Sequence, residues 1–232
     1  MALNLQTFKT RTLTAILFAV VMLVGLLWNL WSFLVLFTII NFGCWYEFVK
    51  LMNQINKSKF LLYSVFGLIY ITMPILMMIY MGIEWRIYTA DNTNEVIYHD
   101  LIPCSIIFSI WINDTMAYIV GSLIGKTPLS KISPKKTWEG TIGGALLCIL
   151  VIAILGYFIP VVKAIPVIDW IAIAAICAVF GTAGDLLESK IKRMANVKDS
   201  GSFMPGHGGF LDRFDSLLVA TPFVWMYVTL FL

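Results

Sequence analysis

Three polar stretches interrupt an otherwise apolar sequence, and they hold the residues able to do chemistry. The first is Asn113-Asp114, inside a hydrophobic run. A carboxylate within a membrane helix costs at least about 2.5–3.5 kcal/mol near its centre, so it marks a functional position or a structural ion pair. The second is the loop from Gly125 to Gly140, with Lys126, Lys131, Lys135 and Lys136 beside hydroxyls, two prolines, Trp138 and Glu139. Lysine is a point charge suited to phosphate oxygens. The same charges serve equally well to hold a loop on one side of a membrane or against anionic lipid. The third stretch, Gly184 to Asp215, is the richest. Asp185, Glu188, Ser189 and Lys192 are spaced i, i+3, i+4 and i+7, so a helix would put them on one face. That face is either a site or an ordinary solvated stripe of ion pairs.

Beyond it, Gly206-His207-Gly208-Gly209 leads into Asp212, Arg213 and Asp215. Glycines let a backbone approach a ligand and aim N–H groups at an anion. His207 serves as a turn histidine or a phosphate donor. Asp212 and Asp215, at i and i+3, offer the carboxylate oxygens that Mg²⁺ prefers, with substrate phosphates completing its shell. The spacing fits no EF-hand, no Walker A loop and no HExxH. Cys44, Cys104, Cys148 and Cys177 stand singly in apolar runs and read as buried fillers. A formal charge of +3 is too small to imply nucleic-acid binding. Acidic metal ligands, basic phosphate ligands and a glycine-rich loop at a membrane boundary suit phosphoryl or nucleotidyl transfer to a lipid headgroup. They do not name the nucleotide.

The elements that must position these groups are membrane helices. The sequence is 60% hydrophobic and 12% charged, against about 25% charged in soluble domains. The apolar residues come in runs of about 20, enough to cross a hydrocarbon core about 30 Å thick. The expected fold is therefore an all-α, polytopic transmembrane bundle, a single domain over 1–232. We read seven spans, near 12–28, 31–50, 60–82, 101–123, 141–162, 167–186 and 215–232. The first lacks a small-residue cleavage site and is expected to be a retained helix. With the N-terminus cytoplasmic, all of the 16 Lys and Arg except Arg86 and Lys163 fall on the inner side. All three polar stretches then face the cytoplasm.

The stretch from Ser189 to Asp215 resembles the signature of the phosphatidate cytidylyltransferase (CDP-diacylglycerol synthase) family. That signature begins Ser-x-x-Lys-Arg, passes Lys-Asp and ends His-Gly-Gly-x-x-Asp-Arg-x-Asp. The matching residues are Ser189, Lys192, Arg193, Lys198, Asp199, His207, Gly208, Gly209, Asp212, Arg213 and Asp215. Ser133-Pro134-Lys135-Lys136-Thr137-Trp138-Glu139-Gly140 resembles a second family block. Asp114-Thr115-Met116-Ala117-Tyr118 is similar to a third, with Met116 where Gly is usual; Met204 also replaces a commoner apolar residue. The resemblance covers Asn113 to the C-terminus. Upstream it extends only to apolar spans and Glu47; the chain is shorter than many bacterial members, and the resemblance leads us to expect that an N-terminal span or two of theirs is absent.

The resemblance implies the reaction CTP plus phosphatidate giving CDP-diacylglycerol plus pyrophosphate. It implies Mg²⁺, with room for a second cation, held chiefly by Asp185 and Asp212, with Asp215 and Asp114 as further candidates. Ser189 and Lys192 join the two aspartates as catalytic candidates. Lys135, Lys136, Thr137, Arg193, Lys198, Arg213 and the Gly206–Gly209 loop with His207 are the expected phosphate binders. A homodimer and a location in the cell's inner membrane, with the site on the cytoplasmic side, are further expectations. Two other classes compete. A secondary transporter would suit Asp114, but the polar groups cluster on one side and no inverted repeat is present. A related nucleotidyltransferase acting on another lipid headgroup shares the same site chemistry.

Overall fold

The computed structural model describes residues 5–83, 100–204 and 208–232; for residues 5–11, Val161 and Ala164 it describes the backbone only. Helices dominate, and among the described residues there is no strand, only the isolated bridges Pro128–Thr137 and Met204–Gly208. Seven long helices follow in order: α1 (Leu5–Leu27), α2 (Leu30–Ile55), α3 (Phe60–Ile83), α4 (Leu101–Ile124), α5 (Trp138–Phe158), α6 (Val167–Met194) and α7 (Leu211–Phe231). Six of them, α2 to α7, are long and apolar enough to cross a membrane, while the apolar part of α1, Thr12–Leu27, is shorter. The expected all-α polytopic bundle is the observed one. Most of the acidic segment between α3 and α4 lies outside the described residues.

Local sequence accounts for the breaks. Asn29 caps α2: the Ser32 N–H donates to Asn29 Oδ1 at 2.9 Å, and the Asn29 N–H donates to Ser32 Oγ at 3.1 Å. This reciprocal box separates α1 from α2. Thr137 caps α5, accepting from the Gly140 N–H at 3.1 Å. Within α3 a π turn spans Leu68–Thr72. There the Trp45 indole N–H donates to Thr72 Oγ1 at 2.7 Å, tying α3 to α2.

Large apolar side chains point both ways. Phe33, Phe37, Ile71, Met78, Ile106 and Ile107 fill the interior, whereas Leu17, Val35, Phe42, Leu146, Leu150 and Ile154 lie exposed. Such a wide apolar exterior suits lipid, not water. The interior is bound by close helix crossings, as expected where lipid gives no hydrophobic incentive for helices to associate. A Cβ on Gly144 of α5 would lie 2.6 Å from the Ala117 nitrogen of α4. On Gly184 of α6 it would collide with the Asp215 carbonyl of α7. Gly140 and Gly144 form a small-xxx-small pair on α5. These two crossings, together with the packing of α6 on α4 and α5, gather four helices whose ends carry the polar stretches.

Candidate active site

The loop between α4 and α5 is a compact hairpin-like turn. The Leu129 N–H donates to the Lys136 carbonyl at 2.7 Å, and the Trp138 N–H to the Thr127 carbonyl at 2.9 Å. Glu139 closes it by accepting from the backbone N–H groups of Lys126 (3.2 Å) and Thr127 (3.1 Å). That is why a carboxylate follows the cations: it folds the loop that presents them. Lys136 reaches across to α6, where its Nζ lies 2.6 Å from Asp185 Oδ2.

Helix α6 runs eight residues beyond the span expected from its apolar run, so Asp185 to Lys192 form a helical stripe. Ser189 Oγ donates to Asp185 Oδ1 at 3.4 Å. Glu188 pairs with Lys192 one turn on. The solvated-stripe alternative does not hold, because Glu188 is only 1% exposed. Lys192 also donates to Asp212 Oδ1 of α7 at 2.5 Å. Asp212 Oδ2 accepts from the Ser200 N–H (2.9 Å), the Ser200 hydroxyl (2.9 Å) and the Gly209 N–H (2.8 Å). Gly208 has φ +85°, a conformation that favours glycine, and a Cβ there would strike the Asp212 carboxylate. Asp215, one turn further and buried, accepts from the Ser216 N–H at 2.7 Å.

These groups surround one cavity of about 590 Å³. Asp114, Asp185, Asp212, Asp215, Lys135, Lys136, Thr137 and Arg213 line it, with Asn113, Thr141 and Thr182. Phe18, Ile110 and Trp111 form its apolar side. The structure thus brings together residues from all three polar stretches. It does not bring in the others equally. Ser189 and Lys192 sit behind Asp185 and Asp212 and reach the cavity through them. Arg193 is exposed, and its Nη1 donates to the Val197 carbonyl at 3.0 Å, finishing the turn after α6. Lys198 is exposed and does not line the cavity. Gly206 and His207 lie outside the described residues. Gly208 and Gly209 hold the loop around Asp212.

Sequence reasoning missed Ser200, Thr141 and Thr182, which carry no motif. The burial of Glu188 was also not readable from spacing alone.

The donor set fits a hard divalent cation. Both Asp185 and Asp212 already carry a cation in contact, the ammonium of Lys136 and of Lys192 respectively. Among the described residues no three acidic, His or Cys side chains form a cage by themselves. A cation such as Mg²⁺ there would take one or two of these carboxylates and complete its shell with water and substrate phosphates.

The fold and cavity define a helical membrane bundle with acidic and basic side chains gathered around one cavity. Residues 71–231 match the family model described as "Cytidylyltransferase family". A protein of Bacillus subtilis (strain 168) named phosphatidate cytidylyltransferase is 45% identical over 123 residues, 53% of this chain and 45% of that relative. Proteins of the same name from Staphylococcus haemolyticus and Staphylococcus aureus (strain COL) are 36% and 34% identical over 190 residues, covering 78% of this chain and 70% of each relative. The chain belongs to the cytidylyltransferase family.

Proposed function

We propose that the chain transfers a cytidylyl group from CTP to phosphatidate, giving CDP-diacylglycerol and pyrophosphate. The observation that carries this is one cavity lined by Asp185 and Asp212 together with Lys135 and Lys136 from a separate loop. The relatives' names supply the substrates.

In the reaction an oxygen of the lipid phosphate forms a bond to the α-phosphorus of CTP. The bond from that phosphorus to the bridging oxygen breaks, and pyrophosphate leaves with the electron pair. No side-chain nucleophile is needed, since the lipid phosphate is already ionised near neutral pH. The barrier is repulsion between two anions and charge growing on the leaving group. Asp185 and Asp212 would hold Mg²⁺ with Asp215 and Asp114 nearby, and Lys136 would be freed from Asp185 to meet a phosphate oxygen. When bound, the metal supplies charge neutralisation and Lewis-acid polarisation of a phosphoryl oxygen. Lys135, Lys136 and Arg213 take the remaining phosphate charge, and Lys192 and Ser189 keep the two aspartates aimed. Phe18, Ile110 and Trp111 offer an apolar border along which acyl chains stay in lipid while the headgroup enters. The charge distribution supports a cytoplasmic opening, where CTP is supplied.

The test is purified protein in detergent with phosphatidate, Mg²⁺ and CTP labelled at either the α- or the γ-phosphate. Label from the α-position should enter lipid and label from the γ-position should leave as pyrophosphate. Label from the γ-position in lipid would mean a kinase instead; in a second arm with the protein reconstituted into vesicles, substrate movement without chemistry would mean a transporter.

A further inference from the structure

We propose that Glu47, on α2, is a positioning residue for this reaction: through Ser200 and the first amides of α7 it fixes the carboxylate of Asp212. The inference rests on the functional reading above. Glu47 lies within a helix that is otherwise a membrane span, and it is 3% exposed. An ionisable side chain there is costly and needs compensation. Its partners supply it. Oε1 accepts from the Phe210 N–H at 2.9 Å. Oε2 accepts from the Leu211 N–H at 3.0 Å and from the Ser200 hydroxyl at 2.6 Å. All three partners belong to the loop and helix start that carry Asp212.

The N-terminus of α7 explains the need. The first amides of a helix lack internal acceptors and favour a negative charge. The residue preceding α7 is Phe210, which has no capping side chain. The cap instead comes from a helix more than 160 residues earlier. Gly201 and Gly209 leave room for the carboxylate, since a Cβ on either would collide with Glu47.

Ser200 links this cap to the site. Its hydroxyl lies between two carboxylates, 2.6 Å from Glu47 and 2.9 Å from Asp212. One hydroxyl proton serves one acceptor at a time, and the shorter contact is to Glu47. The Ser200 N–H and the Gly209 N–H then hold Asp212 Oδ2, which leaves Oδ1 on the side where Lys192 sits. Glu47 thus acts on the reacting groups only through the loop it holds.

Glu47→Gln keeps the size but turns one acceptor into a donor facing a backbone N–H or the Ser200 hydroxyl. Ser200→Ala removes the link and keeps the cap on Phe210 and Leu211. Each variant is assayed for turnover with CTP and phosphatidate. Without substrates, each is also assayed for Mn²⁺ affinity by electron paramagnetic resonance and for hydrogen exchange at residues 210–211. Glu47→Gln should lower kcat and Mn²⁺ affinity by about 10- to 100-fold, the range of residues that orient a metal ligand, and speed exchange at 210–211. Ser200→Ala should lower both less and leave that exchange slow. The double variant should be no worse than Glu47→Gln, since both act along one path. A merely structural role would lower the melting temperature while the folded fraction kept wild-type kcat and Mn²⁺ affinity, which would overturn the proposal. If Glu47→Gln does not fold, Ser200→Ala decides, and wild-type values there overturn the link. A wild-type protein that makes no CDP-diacylglycerol would sink the functional reading instead, and Mn²⁺ affinity would still decide the role of Glu47.

Discussion

Lys136 is the residue on which the loop and the helix stripe meet. Its ammonium rests on Asp185 at 2.6 Å, with both side chains 29% exposed. A half-exposed ion pair of this kind contributes little to stability, about 0–1 kcal/mol. Lys136→Ala should therefore leave the melting temperature nearly unchanged and lower kcat/KM by about 10-fold or more, because a fixed charge aimed at a phosphate oxygen stabilises charge that grows in the transition state. Lys136→Arg should recover part of the loss. Steady-state kinetics on the folded protein check this, and full activity in Lys136→Ala would reduce the residue to a topological marker. Asp185, Lys136 and Asp212 were legible as candidates from residue type, because carboxylates and ammonium groups in an apolar chain stand out; their placement around one cavity was not. Ser200 was not legible. A serine in a loop is ordinary, and only tertiary packing sets it between Glu47 and Asp212.

At the scale of elements, the site depends on helix crossings made close by missing side chains. Gly144→Leu would drive a side chain into Ala117 of α4, where even a Cβ meets backbone at 2.6 Å. Overpacking of this kind costs about 1–3 kcal/mol. The expected result is a lower thermal midpoint in detergent, with activity lost as α4 and α5 separate. An unchanged midpoint would mean that the crossing is looser than described. Glu139→Gln tests the loop. It weakens acceptance from two backbone N–H groups, which leaves the loop less firmly closed. Proteolysis within 125–137 should quicken while the rest of the chain resists. Most element boundaries were legible because hydrophobic runs end where helices leave lipid. The end of α6 was not, since its last turns are held by Glu188, Lys192 and Asp212, and apolarity stops before the helix does.

Across the whole molecule, α1 to α7 alternate in direction if each crosses the membrane. The α4–α5 loop and the α6–α7 connection then share one side, with the cytoplasm as the expected neighbour. The four native cysteines are buried, so a cysteine placed at exposed Lys131 should react with a membrane-impermeant thiol reagent only in inside-out vesicles. Reaction in right-side-out vesicles would invert the topology. The central claim is that groups from separate stretches converge on one cation and one triphosphate. Its most direct measurement is the Mg²⁺ dependence of CDP-diacylglycerol formation by the wild type, Asp185→Asn and Asp212→Asn, each shown to be folded. The account predicts no product in EDTA and recovery with Mg²⁺ in the wild type. Each variant should lose more than about 100-fold, beyond the 10- to 100-fold typical of residues that merely support a metal ligand. Metal-independent turnover, or a variant with near-wild-type turnover at ordinary Mg²⁺, would contradict it.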